Sequence, residues 1–182
     1  MPVDMQTRWD GIIVRLRTAT ESAMFPGIVS ENLNMIYSKP VGQALLDQIA
    51  AQAAKKKFGY TICIMRPANL SIVDKNDGSG PQWSGGSIAK RMDEANSCNG
   101  AGSVTALTWN PNSMSTPGGA RPPFIGLAHE LIHALYSLKG EGYIATMDEE
   151  LRTVGLAPHV DAREITENKI RAEHSVSLRT AY

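Results

Sequence analysis

Apolar and polar positions along the chain fall into a few periodic runs. Gly11–Thr18, GIIVRLRT, alternates apolar and basic residues after a short apolar start, which predicts a strand. Ser30–Lys39, SENLNMIYSK, fits neither period cleanly. Ser38–Gly59, SKPVGQALLDQIAAQAAKKKFG, predicts a helix: Ser38 can cap it, Pro40 suits its first turn, and Leu45, Ile49 and Ala53 share a face. Lys55, Lys56 and Lys57 suit the negative end of that helix, and Gly59 ends it. Tyr60–Pro67, YTICIMRP, is rich in strand formers. Residues 74–102 are rich in Gly, Ser, Asn and Asp and predict loops, with a short helix over Ile88–Ala95. Ser103–Trp109, SVTALTW, predicts a strand, expected at the edge of a sheet where it could pair an extended peptide. A loop then leads to an apolar helix over Ile125–Glu141, an acidic helix within MDEELRTVG, and a last helix starting near Thr166. The order is strands and helices, then mostly helix: an α+β fold, one domain over residues 1–182, with roughly the first ten residues disordered.

The segment Ile125–Glu141, IGLAHELIHALYSLKGE, carries two of the four histidines of the chain. On a helical wheel with His129 at zero, His133 falls at roughly 40° and Glu130 at roughly 100°. Leu127, Ala128, Leu131, Ile132, Ala134, Leu135 and Leu138 occupy the opposite arc, from about 140° to 300°. One face is core and the other carries both histidines and the glutamate. Pro122 and Pro123 fit the helix start, and Gly140 fits its end.

Two imidazoles at i and i+4 project to one point and can bind one cation, which is the arrangement of a zinc hydrolase. The glutamate at i+1 is swung off that point, where it can take a proton from the attacking water. Catalytic zinc usually has a third protein ligand. The pattern with a glycine and a third histidine further along the same helix is excluded, because Tyr136 and Lys139 stand at those places. His159 and His174 remain, as do Glu141, Asp148, Glu149 and Glu150. Glu141 follows Gly140 and is poorly placed to turn back. A helix over MDEELRTVG could cross the first and present one carboxylate. Adjacent residues point about 100° apart, so Glu149 and Glu150 would not both ligate, and spacing does not choose between them.

Composition narrows the function classes. The chain has 182 residues, enough for one domain with a substantial core. Lys+Arg and Asp+Glu are 18 each, so no bulk charge draws it to nucleic acid or an anionic membrane. No apolar run approaches a membrane span, and the N-terminus has no Sec signal pattern. Cys63 and Cys98 do not suggest a disulfide framework and are expected reduced.

LAHELIHALYSLKG followed by EELRTVG resembles the light-chain zinc proteases of clostridial neurotoxins. CNGAGSV, RPPFIGLAHELIHA, EELRTVGL, ITENKIRAE and RTAY are similar, in order, to the smaller bacterial type III effector zinc metalloproteases of the NleD type. The resemblance covers roughly Cys98–Tyr182. It implies a small zincin-like domain with a sheet packed over the active-site helix, and one zinc per chain. His129 and His133 are then ligands, Glu130 the general base and Glu150 the third ligand. Glu149 would orient an imidazole through its free N–H. Arg179 and Tyr182, from RTAY, would face the reacting oxygen. The connection between His133 and Glu150 is shorter than in the neurotoxins, and the sequence ends at that tyrosine. The resemblance further implies a secreted virulence factor that works in the host cytoplasm and cleaves a host protein such as a signalling kinase. A monomer is expected, and nothing in the residues fixes the oligomeric state. Two other readings use the same residues: a non-catalytic zinc-stabilised module that binds a host partner, and a metallohydrolase of a small amide.

Overall fold

The computed structural model describes residues 1–17, 24–55, 61–66, 73–75, 80–82, 87–116, 119–161 and 164–182. The predicted segment ends at Thr18, at residues 56–60 and at Pro67 lie outside these, as do residues 76–79 and 83–86 of the expected loop. The elements in chain order are β1 (Val3–Gln6), β2 (Ile12–Leu16), α1 (Met24–Tyr37), α2 (Pro40–Lys55), β3 (Ile62–Met65), β4 (Val73–Lys75), β5 (Gly80–Gln82), β6 (Ile88–Arg91), β7 (Thr105–Thr108), β8 (Ser115–Thr116), β9 (Gly119–Ala120), α3 (Pro123–Lys139), α4 (Thr146–Val154) and α5 (Glu167–Glu173). A 3₁₀ turn, Asn96–Cys98, lies between β6 and β7.

The main sheet has the order β1-β2-β3-β7-β6. β2, β3 and β7 run parallel, and β1 and β6 close the two sides antiparallel. β2 is buried at four of its five positions because strands cover both its edges and the helices cover a face. Residues 3–6, expected in a disordered stretch, form β1. Asp4 and Arg15 face each other across the ladder and pair through two N–H···O bonds of 2.6 and 2.8 Å.

Three further expectations are corrected. The ambiguous segment at Ser30–Lys39 is mostly the second half of α1, whose Phe25, Val29, Leu33 and Ile36 form one buried stripe; starting at Ser30 cuts that stripe in two. Ser38 does not cap α2. Its hydroxyl donates back to the Met35 carbonyl at 2.7 Å, and the Glu173 carboxylate caps instead, accepting the Val41 N–H at 2.9 Å. The short helix over Ile88–Ala95 is replaced by β6, whose exposure alternates with period two, followed by a turn.

The expected edge strand is also not at the edge. β7 is paired on both sides, by β3 and by β6, and β6 is the edge strand on that side of the sheet.

α3 is the central helix. It packs on α1 and α2, on β6 and β7, and on α4 and α5. Its apolar arc joins the core formed with Ile12, Phe25, Leu46, Ile64 and Trp109. Its polar arc is covered too: His129 is 3% and Glu130 5% exposed. Pro123 opens the helix, and Gly140 ends it in the left-handed conformation at φ 76°. A side chain at Gly140 would meet the backbone of Gly100 at 2.5 Å, and the Gly100 N–H donates to the Gly140 carbonyl at 2.9 Å. No described helix is long and apolar enough to cross a membrane.

Candidate metal centre

α3 and α4 are linked by six residues, so α4 crosses beside the polar arc of α3. The crossing brings Oε2 of Glu150 to 3.1 Å from Nε2 of His129 and 3.3 Å from Nε2 of His133. The two Nε2 atoms are 3.1 Å apart. These are the group of described His, Cys, Asp and Glu residues able to hold a metal ion together.

The other ring nitrogens fix why Nε2 points inward. Nδ1 of His129 lies 2.7 Å from Oε2 of Glu167. Nδ1 of His133 lies 3.3 Å from Oε1 of Glu149 and 3.2 Å from the Thr153 hydroxyl. A proton on each Nδ1 leaves each Nε2 as a lone pair aimed at the same point as the Glu150 oxygen. For tetrahedral bonds of about 2.0–2.2 Å, ligand atoms sit about 3.3–3.5 Å apart, close to the separations found here. The donor set and its spacing therefore fit zinc.

The electrostatics point the same way. Burial pulls the His133 imidazole down, but Glu149 and Glu150 hydrogen-bonded to it outweigh burial and hold it at about 9. Burial pushes the Glu150 carboxyl up, and the two imidazoles overcome this and hold it well below the usual carboxylate range. Glu149 is likewise lowered against its burial, by His133 and by the Tyr143 N–H, which donates to its Oε2 at 2.7 Å. The carboxylates around the two imidazoles make the cluster favour a cation.

Glu130 is buried in the same cleft, and its Oε1 is 3.5 Å from Nη2 of Arg121. Arg179 and Tyr182 also line the cleft, whose volume is about 650 Å³. The segment carrying them is strapped to α5. Asn168 donates from Nδ2 to the Arg179 carbonyl at 2.9 Å and accepts the Arg179 N–H at 2.8 Å, and Arg171 donates to the Ser177 carbonyl at 3.0 Å. The Tyr182 ring stacks on the His129 ring at 6.4 Å and 11°. Burial, then its hydrogen bond with Glu150, pushes the Tyr182 phenol up. Arg179 is only 4% exposed. It lies 4.5 Å from the Tyr182 ring centre, donates to the Ala181 carbonyl at 2.9 Å and reaches Oε2 of Glu167 at 3.5 Å.

The structure thus brings His129, Glu130, His133, Glu149, Glu150, Arg179 and Tyr182 to one cleft. The other acidic and histidine candidates lie outside the metal group. His159 pairs with Asp148 at 3.3 Å near the surface, His174 packs on Phe124 at 4.6 Å, and Glu141 is exposed. Glu167 is a residue that sequence reasoning missed. It is fully buried and accepts from Arg171 Nε at 2.6 Å as well as facing His129. Burial raises its carboxyl, but His129 and Arg171 hold it at about 2. In sequence it is an acid in the first turn of a helix with an arginine at i+4, which commonly marks a solvated helix start.

A profile of the Peptidase M91 family, described as effector proteins, matches residues 15–182. The chain belongs to this family. Its fold is similar to that of the botulinum neurotoxin type G light chain, with a TM-score of 0.58 and 19% identity over 90% of this chain and 55% of that one. The type D light chain gives 0.57 and 14% over 90% and 58%. The catalytic domain of Clostridium botulinum neurotoxin serotype F gives 0.54 and 20% over 86% and 48%. At these identities the likeness shows the fold, which is zincin-like. The chain spans about half the length of these neighbours. A search of curated proteins returns no match. The family is one of peptidase effector proteins, and the three converging donors could hold a metal ion.

Proposed function

We propose that the chain, acting as one domain, is a zinc endopeptidase that is delivered into a host cell and cleaves a host protein there. The observation that carries this reading is the convergence of His129 Nε2, His133 Nε2 and Glu150 Oε2 within 3.3 Å of one another, with Glu130 in the same cleft. Zinc held by these three residues would supply Lewis acidity, which can lower the pKa of a water from about 15.7 to about 7.

Glu130 takes the proton of the attacking water and passes it to the leaving amine. Arg121 keeps the Glu130 carboxylate beside the cleft. The Tyr182 hydroxyl, on the side of the cluster where its ring stacks on His129, donates to the oxygen that gains charge as the scissile carbonyl is attacked. Arg179 holds the Tyr182 ring and the Glu167 carboxylate, and Glu149 and Glu167 hold the two imidazoles in register.

β6 offers its free edge along the cleft, and Ile88 and Arg91 line that cleft. An extended peptide can add there as a further strand. That favours a protein substrate over a small amide. The buried Glu130 favours an enzyme over a binding module, since a purely structural zinc needs no base.

Zinc content and cleavage of host-cell lysate by wild type and Glu130→Gln test the reading together. Loss of cleavage with zinc retained is expected. Equal cleavage by both proteins removes the enzyme assignment from this site.

A further inference from the structure

Arg91 is not a member of the donor set, yet it touches three parts of its support. It sits on β6, an edge strand of the sheet. Its Nη2 lies 3.2 Å from Oε1 of Glu149, the oxygen that also faces His133 Nδ1. Its Nη1 donates to the Tyr143 carbonyl at 2.9 Å and lies 3.4 Å from Sγ of Cys98. The Tyr143 N–H donates to the second Glu149 oxygen. A closed ring results: guanidinium to carboxylate, carboxylate to the Tyr143 amide, Tyr143 carbonyl back to the guanidinium.

The pair is largely sheltered, with side-chain exposures of 18% for Arg91 and 5% for Glu149. The guanidinium is also pressed onto Gly142. A Cβ there would lie 3.0 Å from Cζ and Nη2 of Arg91 and 3.0 Å from the Ser97 carbonyl, which accepts the Gly142 N–H at 2.9 Å. The backbone has been kept bare where the arginine lies.

We propose that Arg91 is a positioning residue for the metal centre. It fixes the Glu149 carboxylate, and through it the His133 ring, and it ties the edge strand to the segment that leads into α4 and Glu150. A carboxylate held by a guanidinium, a backbone N–H and an imidazole N–H has one orientation. Without the guanidinium, Glu149 is anchored at Oε2 by the Tyr143 N–H, and its Oε1 can swing away from His133 Nδ1, where Thr153 would then remain. Lysine does not replace it, because one ammonium on a flexible stem does not span acceptors lying in the directions of Tyr143, Cys98 and Glu149.

The inference rests on the zinc reading above, so its test measures zinc affinity directly. The full chain is titrated with zinc against a chelator, and the unfolding of the zinc-free protein is followed alongside. Arg91→Ala is expected to weaken zinc about tenfold, the low end of what loss of a supporting contact costs a metal site. Arg91→Lys is expected to stay close to Arg91→Ala. Gly142→Ala, which keeps the arginine but displaces it, should weaken zinc in the same direction. The double variant Arg91→Ala, Glu149→Ala should lose less than the sum of the two single losses, since the arginine acts mainly through that carboxylate.

Full additivity in the double variant overturns the proposal, as does unchanged zinc affinity in Arg91→Ala. If Arg91→Ala does not fold, wild-type affinity in both Arg91→Lys and Gly142→Ala overturns it. Wild type that binds no zinc removes the metal reading and this inference with it. Wild type that binds zinc beside an unaffected Arg91 variant removes this inference alone.

Discussion

Oε2 of Glu167 lies 2.7 Å from Nδ1 of His129, and the carboxylate that makes this contact has no exposed surface. Glu167 thereby sets which nitrogen of His129 faces Glu150, and it does so from a helix that follows α3 by 27 residues. Glu167→Gln keeps the size of the side chain but removes the charge that Arg171 and Arg179 share. It should weaken zinc by about 10–100-fold. The zinc-free protein should also unfold at a lower temperature, because two buried guanidiniums lose their counter-charge. Chelator competition and thermal unfolding measure both; wild-type zinc affinity would show that Glu167 serves the fold only.

The two adjacent glutamates of α4 should separate by role. Glu150→Ala removes a converging oxygen and should cost more zinc affinity than Glu149→Ala, which removes a partner of His133 Nδ1 that Thr153 partly replaces. Zinc titration of the two variants gives the ranking, and the reverse order would move the ligand to Glu149.

Glu130→Gln should keep zinc and fold while hydrolysis is lost, since the amide is nearly isosteric and accepts no proton at working pH. Metal analysis and a cleavage assay read the two properties separately. Loss of zinc in this variant would give Glu130 a ligand or structural role.

The two residues from RTAY should now differ from each other. Tyr182→Phe removes a hydroxyl at the cleft and should lower kcat by about 10²–10³ with zinc content unchanged. Arg179→Ala removes a buried contact to Glu167 as well, so it should lower kcat and also weaken zinc. Steady-state kinetics with metal analysis decides. A chain cut after Leu178 that cleaves at the wild-type rate would make both residues bystanders.

Alkaline stability should report on Tyr136, away from the metal. Burial is the main cause that pushes its phenol up to about 12 from 10.0, with Glu164 adding to it. The folded state therefore holds the proton more tightly than the unfolded chain. Its contribution is whole below about pH 10 and is lost as pH rises toward 12. Tyr136→Phe should lose stability less steeply across that window; parallel curves for the two proteins would show that Tyr136 does not titrate with unfolding.

Local pattern made α3 legible. Its prolines, its glycine and the 40° or so between its histidines depend on residues within a few turns. α2 and β3 were readable for the same reason. Where the sequence misled, a distant partner had intervened. Ser38 had the right chemistry for a cap, but Glu173, 132 residues from Val41, reached the free N–H groups first. Ser103–Trp109 has the composition of a strand, and composition does not record how many neighbours a strand has. Pairing to β6 made it internal.

The sequence by itself determined which side chains share the polar arc of α3, because helical geometry turns a spacing of four residues into a direction. It also supplied every donor atom of the cluster. Only the tertiary structure decided which carboxylate of α4 meets the two imidazoles, which acids hold their outer nitrogens, and that Arg179 and Tyr182 return to the cleft. Those relations join residues 16 to 53 positions apart, and no periodicity reaches that far. They follow from packing α4, α5 and the last segment over a helix whose polar face must be satisfied once it is taken from water.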